Sequence, residues 1–250
     1  MSPALPVSAL LAWWGTAWLR GRVVTDLVLD AVLGDDATHV VAGLPDVEGS
    51  VSLSRALAEL RITGSPWLGL ALPEPGDPVG IGGPAELSQA ALEAGEAVVA
   101  GHVGLVPHRV GAAVEWTAYA AAPRQLTDVG EADRELRRAL QLAATALADL
   151  DVARWRPEAA DVLMNLHHPP RLKPPPGTPE RCTDLAARSL QARAIVDLAL
   201  DDDGGALSAA EIASRRAALH PLGAAARRGL VAACSPEVWP ERGPSVTTES

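Results

Sequence analysis

The order of apolar and polar positions divides the chain into an α/β first half and a helical second half. In the first half, short apolar runs alternate with segments whose apolar residues recur every three to four positions. The runs predict strands, and the periodic segments predict helices. The four predicted strands cover residues 38–44, 67–72, 97–101 and 113–121. The predicted helices cover residues 7–19, 23–33, 50–62 and 84–94.

Two of these strands carry further information about the sheet. In residues 113–121, Val114, Trp116 and Ala118 alternate with polar residues, which predicts an antiparallel strand with one solvent-exposed face. Residues 67–72 are almost continuously apolar, which favours a central strand. The segment through Pro107 is predicted to be an irregular loop.

From Asp128 onward the pattern is helical. Helices are predicted over residues 128–150, 156–167, 180–200 and 208–234, and Pro221 is expected to break or kink the last one. The predicted fold class is therefore α+β, with a mixed four-stranded sheet packed on helices and followed by a helical C-terminal half.

The change from α/β to helical pattern and the Pro content suggest the domain boundaries. We expect a mixed α/β part over residues 1–126 and a helical part over residues 127–235. A Pro-rich linker is expected at residues 169–179, which hold six prolines. Residues 236–250 lack periodicity and are expected to form a disordered tail.

Charge narrows the classes of partner. The net charge is -10, and residues 1–120 hold 5 basic and 13 acidic side chains. The chain lacks the basic stripe that phosphate backbones require, so nucleic acid and anionic membrane surfaces are disfavoured as partners. Arg outnumbers Lys 20 to 1 and Phe is absent, a bias that a GC-rich genome explains. The 7 Trp therefore supply most of the large aromatic bulk.

Cysteine content and the N-terminal pattern point to a cytoplasmic protein. The 2 Cys are too few for a disulfide framework and do not have metal-ligand spacing. A signal peptide has basic residues before its apolar stretch, but no basic residue precedes the apolar stretch at residues 7–19. This stretch is also too short to span a bilayer. No cofactor is implied by any motif.

The Gly-rich segment 76–84 is the best candidate for a ligand site. It lies between a predicted strand and a predicted helix, where backbone N–H groups can hold an anion, and Gly80, Gly82 and Gly83 would bind the ligand. Pro84 removes a donor and nearby acidic residues oppose phosphate, so a rigid connecting loop is the alternative.

The acidic segment 201–211 resembles part of a calcium-binding loop, with Asp202 and Glu211 as ligands. Too few oxygen ligands are present for full coordination. As an alternative, Ser208 and Glu211 form a capping box for the last helix.

Arg154, Trp155 and Arg156 form a candidate interface, because Trp and Arg dominate binding hot spots. A core Trp at a helix junction, with its neighbours extending to solvent, is the alternative. The Ser, His and Cys residues have no recognisable catalytic spacing.

Three segments carry a family resemblance, namely Leu72-Pro73-Glu74-Pro75-Gly76-Asp77-Pro78, Ala94-Gly95-Glu96-Ala97-Val98 and Asp151-Val152-Ala153-Arg154-Trp155-Arg156-Pro157. They resemble a family of uncharacterised proteins of high-GC bacteria. The resemblance covers most of the chain and implies no activity.

The first hypothesis is therefore a non-catalytic protein that acts through a protein partner or as a homo-oligomer. The alternative is a protein or enzyme that binds a phosphorylated ligand or nucleotide at the Gly-rich segment.

Overall fold

The computed structural model describes residues 4–149, 170–201 and 209–240 of the 250-residue chain. This part contains six strands, seven α-helices and a 3-10 helix at Pro236–Val238. The strands are β1 (Thr38–Ala42), β2 (Ser50–Ser52), β3 (Gly69–Ala71), β4 (Ala97–Ala100), β5 (Val103–Val110) and β6 (Ala113–Ala120). The helices are α1 (Val7–Leu19), α2 (Thr25–Leu33), α3 (Leu53–Ile62), α4 (Ala85–Ala94), α5 (Val129–Asp149), α6 (Glu180–Asp201) and α7 (Ala209–Ala233).

The strands form one mixed sheet in the order β2-β1-β6-β5-β4-β3. The β1–β6 pair is parallel, and the other four pairs are antiparallel. The α+β class, the mixed sheet and the helical C-terminal half predicted from the sequence are confirmed. The antiparallel character predicted for residues 113–121 holds on one side of the strand, since β6 pairs antiparallel with β5 along its full length and parallel with β1.

The predicted number of four strands is wrong, because β2 and β5 add to the sheet. The sequence predicts a helix from residue 50, but residues 50–52 pair with β1 and the helix begins only at Leu53. Ser52 caps that helix by accepting a hydrogen bond from the Arg55 N–H at 3.3 Å. With Val51 as its one apolar residue, the three-residue strand β2 has no periodic signal in the sequence.

Pro107 explains why β5 was predicted as a loop. It lies within the strand opposite Trp116 of β6. On the other side, β4 pairs only with residues 103–105 of β5, so the missing N–H of Pro107 removes no hydrogen bond from that ladder. Pro is therefore tolerated where one side of the strand is unpaired.

The expectation that residues 67–72 form a central strand is also wrong. β3 is an edge strand, yet Gly69, Leu70 and Ala71 are all buried. Its free edge is covered by the end of α7, where the Leu70 N–H donates to the Cys234 carbonyl at 3.3 Å. An edge strand that is covered by a distant segment of the chain therefore has the same apolar sequence pattern as a central strand.

The sheet has a core on each face. Along β4, Val98 and Ala100 belong to the main core, whereas Ala97 and Val99 belong to a smaller core beneath α4. Thr16 fixes α1 to the sheet, since its Oγ donates to the Leu68 carbonyl at 3.0 Å and accepts from the Leu68 N–H at 2.9 Å. The main core also includes buried residues of α5, α6 and α7.

The C-terminal segments are more continuous than the sequence suggests. α7 runs through Pro221 without a break, and Leu219 and Leu222 on either side of it are fully buried. Residues 236–238, assigned to the tail from the sequence, form the 3-10 helix, and Trp239 donates from Nε1 to the Ala233 carbonyl at 2.9 Å. In the described ranges, no helix is both long and apolar enough to cross a membrane.

Candidate functional site

The Gly-rich loop (residues 76–83) folds back against the strand it leaves. The Leu72 N–H donates to the Val79 carbonyl at 3.1 Å, and Glu74 and Asp77 exchange two backbone hydrogen bonds of 3.0 and 2.9 Å. Gly76 supplies the positive φ of +84° that this turn needs. Backbone bonds thus give the loop a defined shape.

Close backbone packing explains two of the three predicted glycines. A Cβ on Gly80 would lie 2.7 Å from the Ala71 Cα, and one on Gly82 would clash with the Pro123 carbonyl oxygen. Gly83 has open space around it and a φ of +94°. The role of a rigid connecting loop therefore accounts for Gly80 and Gly82 without a ligand.

Arg124 joins the loop to the segment after α7 by hydrogen bonds and an ion pair. Its side chain is only 5% exposed. Nη1 donates to the carbonyls of Leu70 and Gly80 at 2.8 and 2.9 Å, while Nε and Nη2 donate to Glu237 Oε1 at 3.1 and 2.5 Å. The carboxylate offsets the cost of burying the guanidinium.

A second set of ion pairs holds the start of the loop to α7. Arg227 contacts Glu74 at 2.5 Å and Asp77 at 2.8 Å, and its side chain is 7% exposed. Arg228 contacts Asp77 at 3.5 Å and Glu135 at 2.8 Å. Three carboxylates thus face two guanidinium groups. The cluster is close to neutral with a small negative excess.

Beside these contacts lies an open cleft of about 490 Å³, here named the Gly-loop cleft. The Gly-rich loop, the segment before α5 and the last turns of α7 form its walls. Apolar and polar groups both line it, and the lining residues are Asp77, Pro78, Val79, Gly80, Ile81, Gly82, Pro123, Gln125, Leu126, Thr127, Arg228, Val231 and Ala232.

Two side chains in the wall can serve a ligand. Within the described chain, neither the Gln125 amide nor the Thr127 hydroxyl makes a hydrogen bond to the protein. By contrast, the two charged groups of the wall, Asp77 and Arg228, are bonded to each other and to neighbours. The groups open to a ligand are therefore neutral hydrogen-bonding groups.

Comparison with known proteins places the chain in a family. Two family models match it, the Rv1486c-like protein, N-terminal domain, over residues 8–129 and the Rv1486c-like protein, C-terminal domain, over residues 130–231. The chain belongs to the Rv1486c-like family. It is 30% identical, over an alignment of 295 positions, to the "Uncharacterized protein Rv1486c" of Mycobacterium tuberculosis (strain ATCC 25618 / H37Rv), covering 94% of this chain and 99% of that protein.

A second relative of this Rv1486c-like chain is the "Uncharacterized protein ML1804" of Mycobacterium leprae (strain TN), 28% identical over 298 residues, with 94% of this chain and 99% of that protein covered. The resemblance to an uncharacterised family of high-GC bacteria is thus confirmed. Neither name carries an activity. No solved structure shows significant similarity to the chain.

The structure brings Gly80 and Gly82 into the cleft wall of this Rv1486c-like chain, whereas Gly83 does not line it. The other predicted residues cannot be compared in this way. Arg154, Trp155, Arg156 and Asp202 lie outside the described residues, as does the predicted helix 156–167. Glu211 lies in α7.

The interface and calcium predictions therefore stay predictions. In the described ranges, no three His, Cys, Asp or Glu side chains are grouped to hold a metal ion.

Sequence reasoning missed a buried histidine cluster at the start of β1. His39 is 2% exposed, accepts a hydrogen bond from Trp116 Nε1 at its Nδ1 at 3.3 Å, and contacts Asp36 through Nε2 at 3.1 Å. Arg109 binds both oxygens of Asp36 at 2.5 and 3.3 Å. Hydrogen bonds from Arg109 and then His39 lower the pKa of Asp36. With every polar group paired, the cluster stabilises the sheet.

Sequence reasoning also missed Gln125, Thr127 and Arg228, because all three lie far from the loop along the chain. A signal existed for the arginines. Arg227 and Arg228 interrupt an otherwise apolar stretch of helix, and buried arginines need carboxylate partners. The sequence does not say which of its many acidic residues those partners are.

Proposed function

We propose that the protein binds an uncharged, polar small molecule in the Gly-loop cleft. The observation that carries this proposal is a preformed cleft whose uncommitted polar groups, Gln125 and Thr127, are neutral. Its volume of about 490 Å³ is within the range of small-molecule sites. Val79, Ile81 and Leu126 add apolar surface for the body of the ligand.

Charge favours a neutral ligand over a phosphorylated one. A phosphate would meet Arg228 only by competing with Asp77 and Glu135, which already bind it. The carboxylates near the cleft outnumber the guanidinium groups, so a dianion gains little Coulomb energy there. A neutral ligand needs only hydrogen bonds and apolar contact.

Binding without catalysis is also favoured by the chemistry of the wall. Among its described residues there is no His, Cys or Lys, and its carboxylate, Asp77, is held by two arginines. These ion pairs commit the carboxylate to the protein, so it is not available to react with a ligand.

Thermal-shift and calorimetric titrations with matched ligands test the proposal. Each nucleoside or sugar is compared with its own phosphate ester, so that the two members of a pair differ by one charged phosphoryl group. The uncharged member should raise Tm, by an amount equivalent to about 2.7 kcal/mol at a hundred times Kd. Thr127→Val should weaken binding, whereas Thr145→Val, an exposed position on α5, should not.

Two results would count against this assignment. Absence of any shift at about 10 mM ligand argues against small-molecule binding, because Kd would then lie above the usual range. Stronger binding of the phosphate esters would instead support the alternative of a phosphorylated ligand or nucleotide.

Association with another protein chain is a second candidate, favoured by exposed apolar side chains. Val24 and Leu27, three positions apart at the start of α2, are 64% and 48% exposed, and Ile62 at the end of α3 is 77% exposed. Sedimentation velocity of wild type, Leu27→Asp and Trp155→Ala tests this candidate. A strict monomer in all three would contradict self-association.

A further inference from the structure

The segment that follows α7, residues 235–239, is named here the C-terminal strap. It contains the 3-10 helix Pro236–Val238, and its first two residues, Ser235 and Pro236, are buried. None of its residues lines the Gly-loop cleft. Any effect of the strap on the cleft must therefore pass through another residue.

Arg124 contacts the strap and the cleft wall at the same time. On the strap side, Nε and Nη2 donate to Glu237 Oε1 at 3.1 and 2.5 Å, and Nη2 lies 3.4 Å from Ser235 Oγ. On the cleft side, Nη1 donates at 2.9 Å to the carbonyl of Gly80, which lines the cleft. Within the described residues, the Gly80 carbonyl accepts no other hydrogen bond. Arg124 therefore links the strap to the wall.

The strap supplies the negative charge that keeps Arg124 in this place. The Arg124 side chain is only 5% exposed, and its acceptors other than Glu237 are the uncharged oxygens of Leu70, Gly80 and Ser235. A buried guanidinium that loses its carboxylate is strongly destabilised. Loss of the Glu237 charge should therefore move Arg124 toward water, and the Gly80 carbonyl would lose its donor.

The contact between strap and Arg124 also carries an unsatisfied group. Glu237 binds Arg124 through Oε1, whereas Oε2 is buried and has no hydrogen-bond partner in the described chain. A buried carboxylate oxygen without a partner costs free energy in the closed arrangement. Gly69 provides the space for the ion pair, since a Cβ there would clash with Arg124 Nη2 and lie 2.7 Å from Glu237 Oε2. The strap is thus closed by one strong contact and opposed by one unpaired oxygen.

We propose that Glu237 is a positioning residue for the Gly-loop cleft. It holds Arg124, and Arg124 holds Gly80 in the cleft wall, so opening of the strap releases the wall. The inference rests on the proposed function, because it concerns the shape of the same cleft. An open strap lowers the affinity for a ligand. By linkage, a ligand in the cleft favours the closed strap to the same extent.

Hydrogen exchange of single amides in the full-length protein tests this coupling. The Leu72 and Ile81 N–H groups, which donate to the carbonyls of Val79 and Pro78, report on the Gly-rich loop. The Val238 N–H, which is bonded within the strap, reports on the strap. Amides of the β5–β6 pair report on the sheet. Local opening of one region accelerates exchange there and leaves the other regions protected.

Glu237→Gln removes the charge and keeps the size of the side chain. The loop and strap amides should exchange at least about tenfold faster than in wild type, whereas the β5–β6 amides should not change. Glu59→Gln is the matched control. The Glu59 side chain is 20% exposed, close to the 21% of Glu237, but its partner Arg55 is 64% exposed on the same helix. This control should leave loop exchange unchanged.

The double variant Arg124→Met/Glu237→Gln separates positioning from stability. It leaves no unpaired charge in the protein interior, so the protection of the β5–β6 amides should equal that of wild type even if Glu237→Gln alone destabilises the whole protein. The loop amides should nevertheless exchange as fast as in Glu237→Gln, because the Gly80 carbonyl still lacks its donor. A residue with a merely structural role would not give this pattern.

Two results would overturn the proposal. One is faster exchange of the strap amide in Glu237→Gln with unchanged loop amides, which would show that the strap opens without the loop. The other is wild-type protection of the loop amides in the double variant, which would show that Arg124 does not hold the wall. These measurements need no ligand. Absence of ligand binding would therefore contradict the proposed function alone, and the coupling would still be decided by exchange.

Discussion

Burial controls the chemistry of the two cysteines. Removal from solvent raises the pKa of Cys182 to about 12, against a small opposing effect of Arg181. Burial, with a further contribution from neighbouring Cys182, raises the pKa of Cys234 as well. Both residues are therefore protonated thiols at neutral pH and act as small apolar core residues.

We predict that both thiols are unreactive toward Ellman's reagent in the native protein at pH 8. A pKa near 12 leaves on the order of a thousandfold less thiolate than a free cysteine has. After unfolding in urea, both thiols of the wild-type protein should react with the reagent. One thiol should react in unfolded Cys182→Ser and one in unfolded Cys234→Ser. Rapid reaction of either thiol in the folded protein would contradict this prediction.

Because of the same pKa shift, the free energy of unfolding is expected to fall at alkaline pH. The folded pKa of Cys182 lies above that of the unfolded chain, so folding favours the protonated thiol. This contribution is complete below about pH 8.5. It is lost as the pH rises toward about 12, because the unfolded chain ionises first.

His39 provides a second prediction at the scale of single residues. The Trp116 indole N–H can only donate, so Nδ1 of His39 must accept and its ring proton must lie on Nε2. His39→Leu would leave the buried indole N–H without a partner and should lower the free energy of unfolding by about 1–3 kcal/mol.

Urea denaturation of His39→Leu is compared with His108→Leu, a change at an exposed position of β5. The control should stay within about 0.5 kcal/mol of wild type. Equal effects of the two substitutions would show that the buried hydrogen bond contributes nothing to stability.

At the scale of elements, two glycines are expected to respond to Ala in opposite directions. Gly82→Ala should lower the free energy of unfolding by about 2 kcal/mol or more, because its Cβ would clash with the Pro123 carbonyl and push the loop away. Gly223→Ala, inside α7, should raise it by about 0.5–1 kcal/mol, since its nearest neighbour is Val196 Cγ1 at 3.7 Å.

Denaturant titrations of the two variants measure the change in the free energy of unfolding, which is expected to have opposite signs. A neutral Gly82→Ala would mean that the loop is free to move from Pro123. The Gly-loop cleft would then not be preformed, which would also weaken the proposed function.

The elements that the sequence predicts well are those with a local cause. Gly95 ends α4 in the left-handed conformation, and Asp128 caps α5 by accepting hydrogen bonds from the Gly130 and Glu131 N–H groups at 2.7 and 3.0 Å. Such signals lie within a few residues of the element, so helix positions follow from them.

Features with a distant cause could not be predicted. The three residues of β2 are defined by pairing with β1, and the edge position of β3 is defined by its cover at Cys234. The candidate site shows the same division. Its glycines stand out as a motif, whereas Thr127 and Arg228 are brought beside them only by the folding of the chain.

At the scale of the whole molecule, buried groups join the region matched by the first family model to the part of the chain that follows it. Trp13 Nε1 donates to the Ala233 carbonyl at 3.1 Å, and Arg124 pairs with Glu237 at 2.5 Å. Both contacts join the region before residue 129 to the region after it. One hydrophobic core contains buried residues of both regions. The domains are therefore expected to depend on each other for stability.

We predict a single cooperative unfolding transition. Tryptophan fluorescence reports mainly on the first region, which holds Trp13, Trp14, Trp18, Trp67 and Trp116, whereas far-UV circular dichroism also reports on α5, α6 and α7. The two transitions should coincide in urea. A fragment of residues 1–129 should show none, because it would expose Leu70 and Trp13 and leave Arg124 without Glu237. A fragment that unfolded cooperatively, or two separate transitions in the full chain, would instead establish two independent domains.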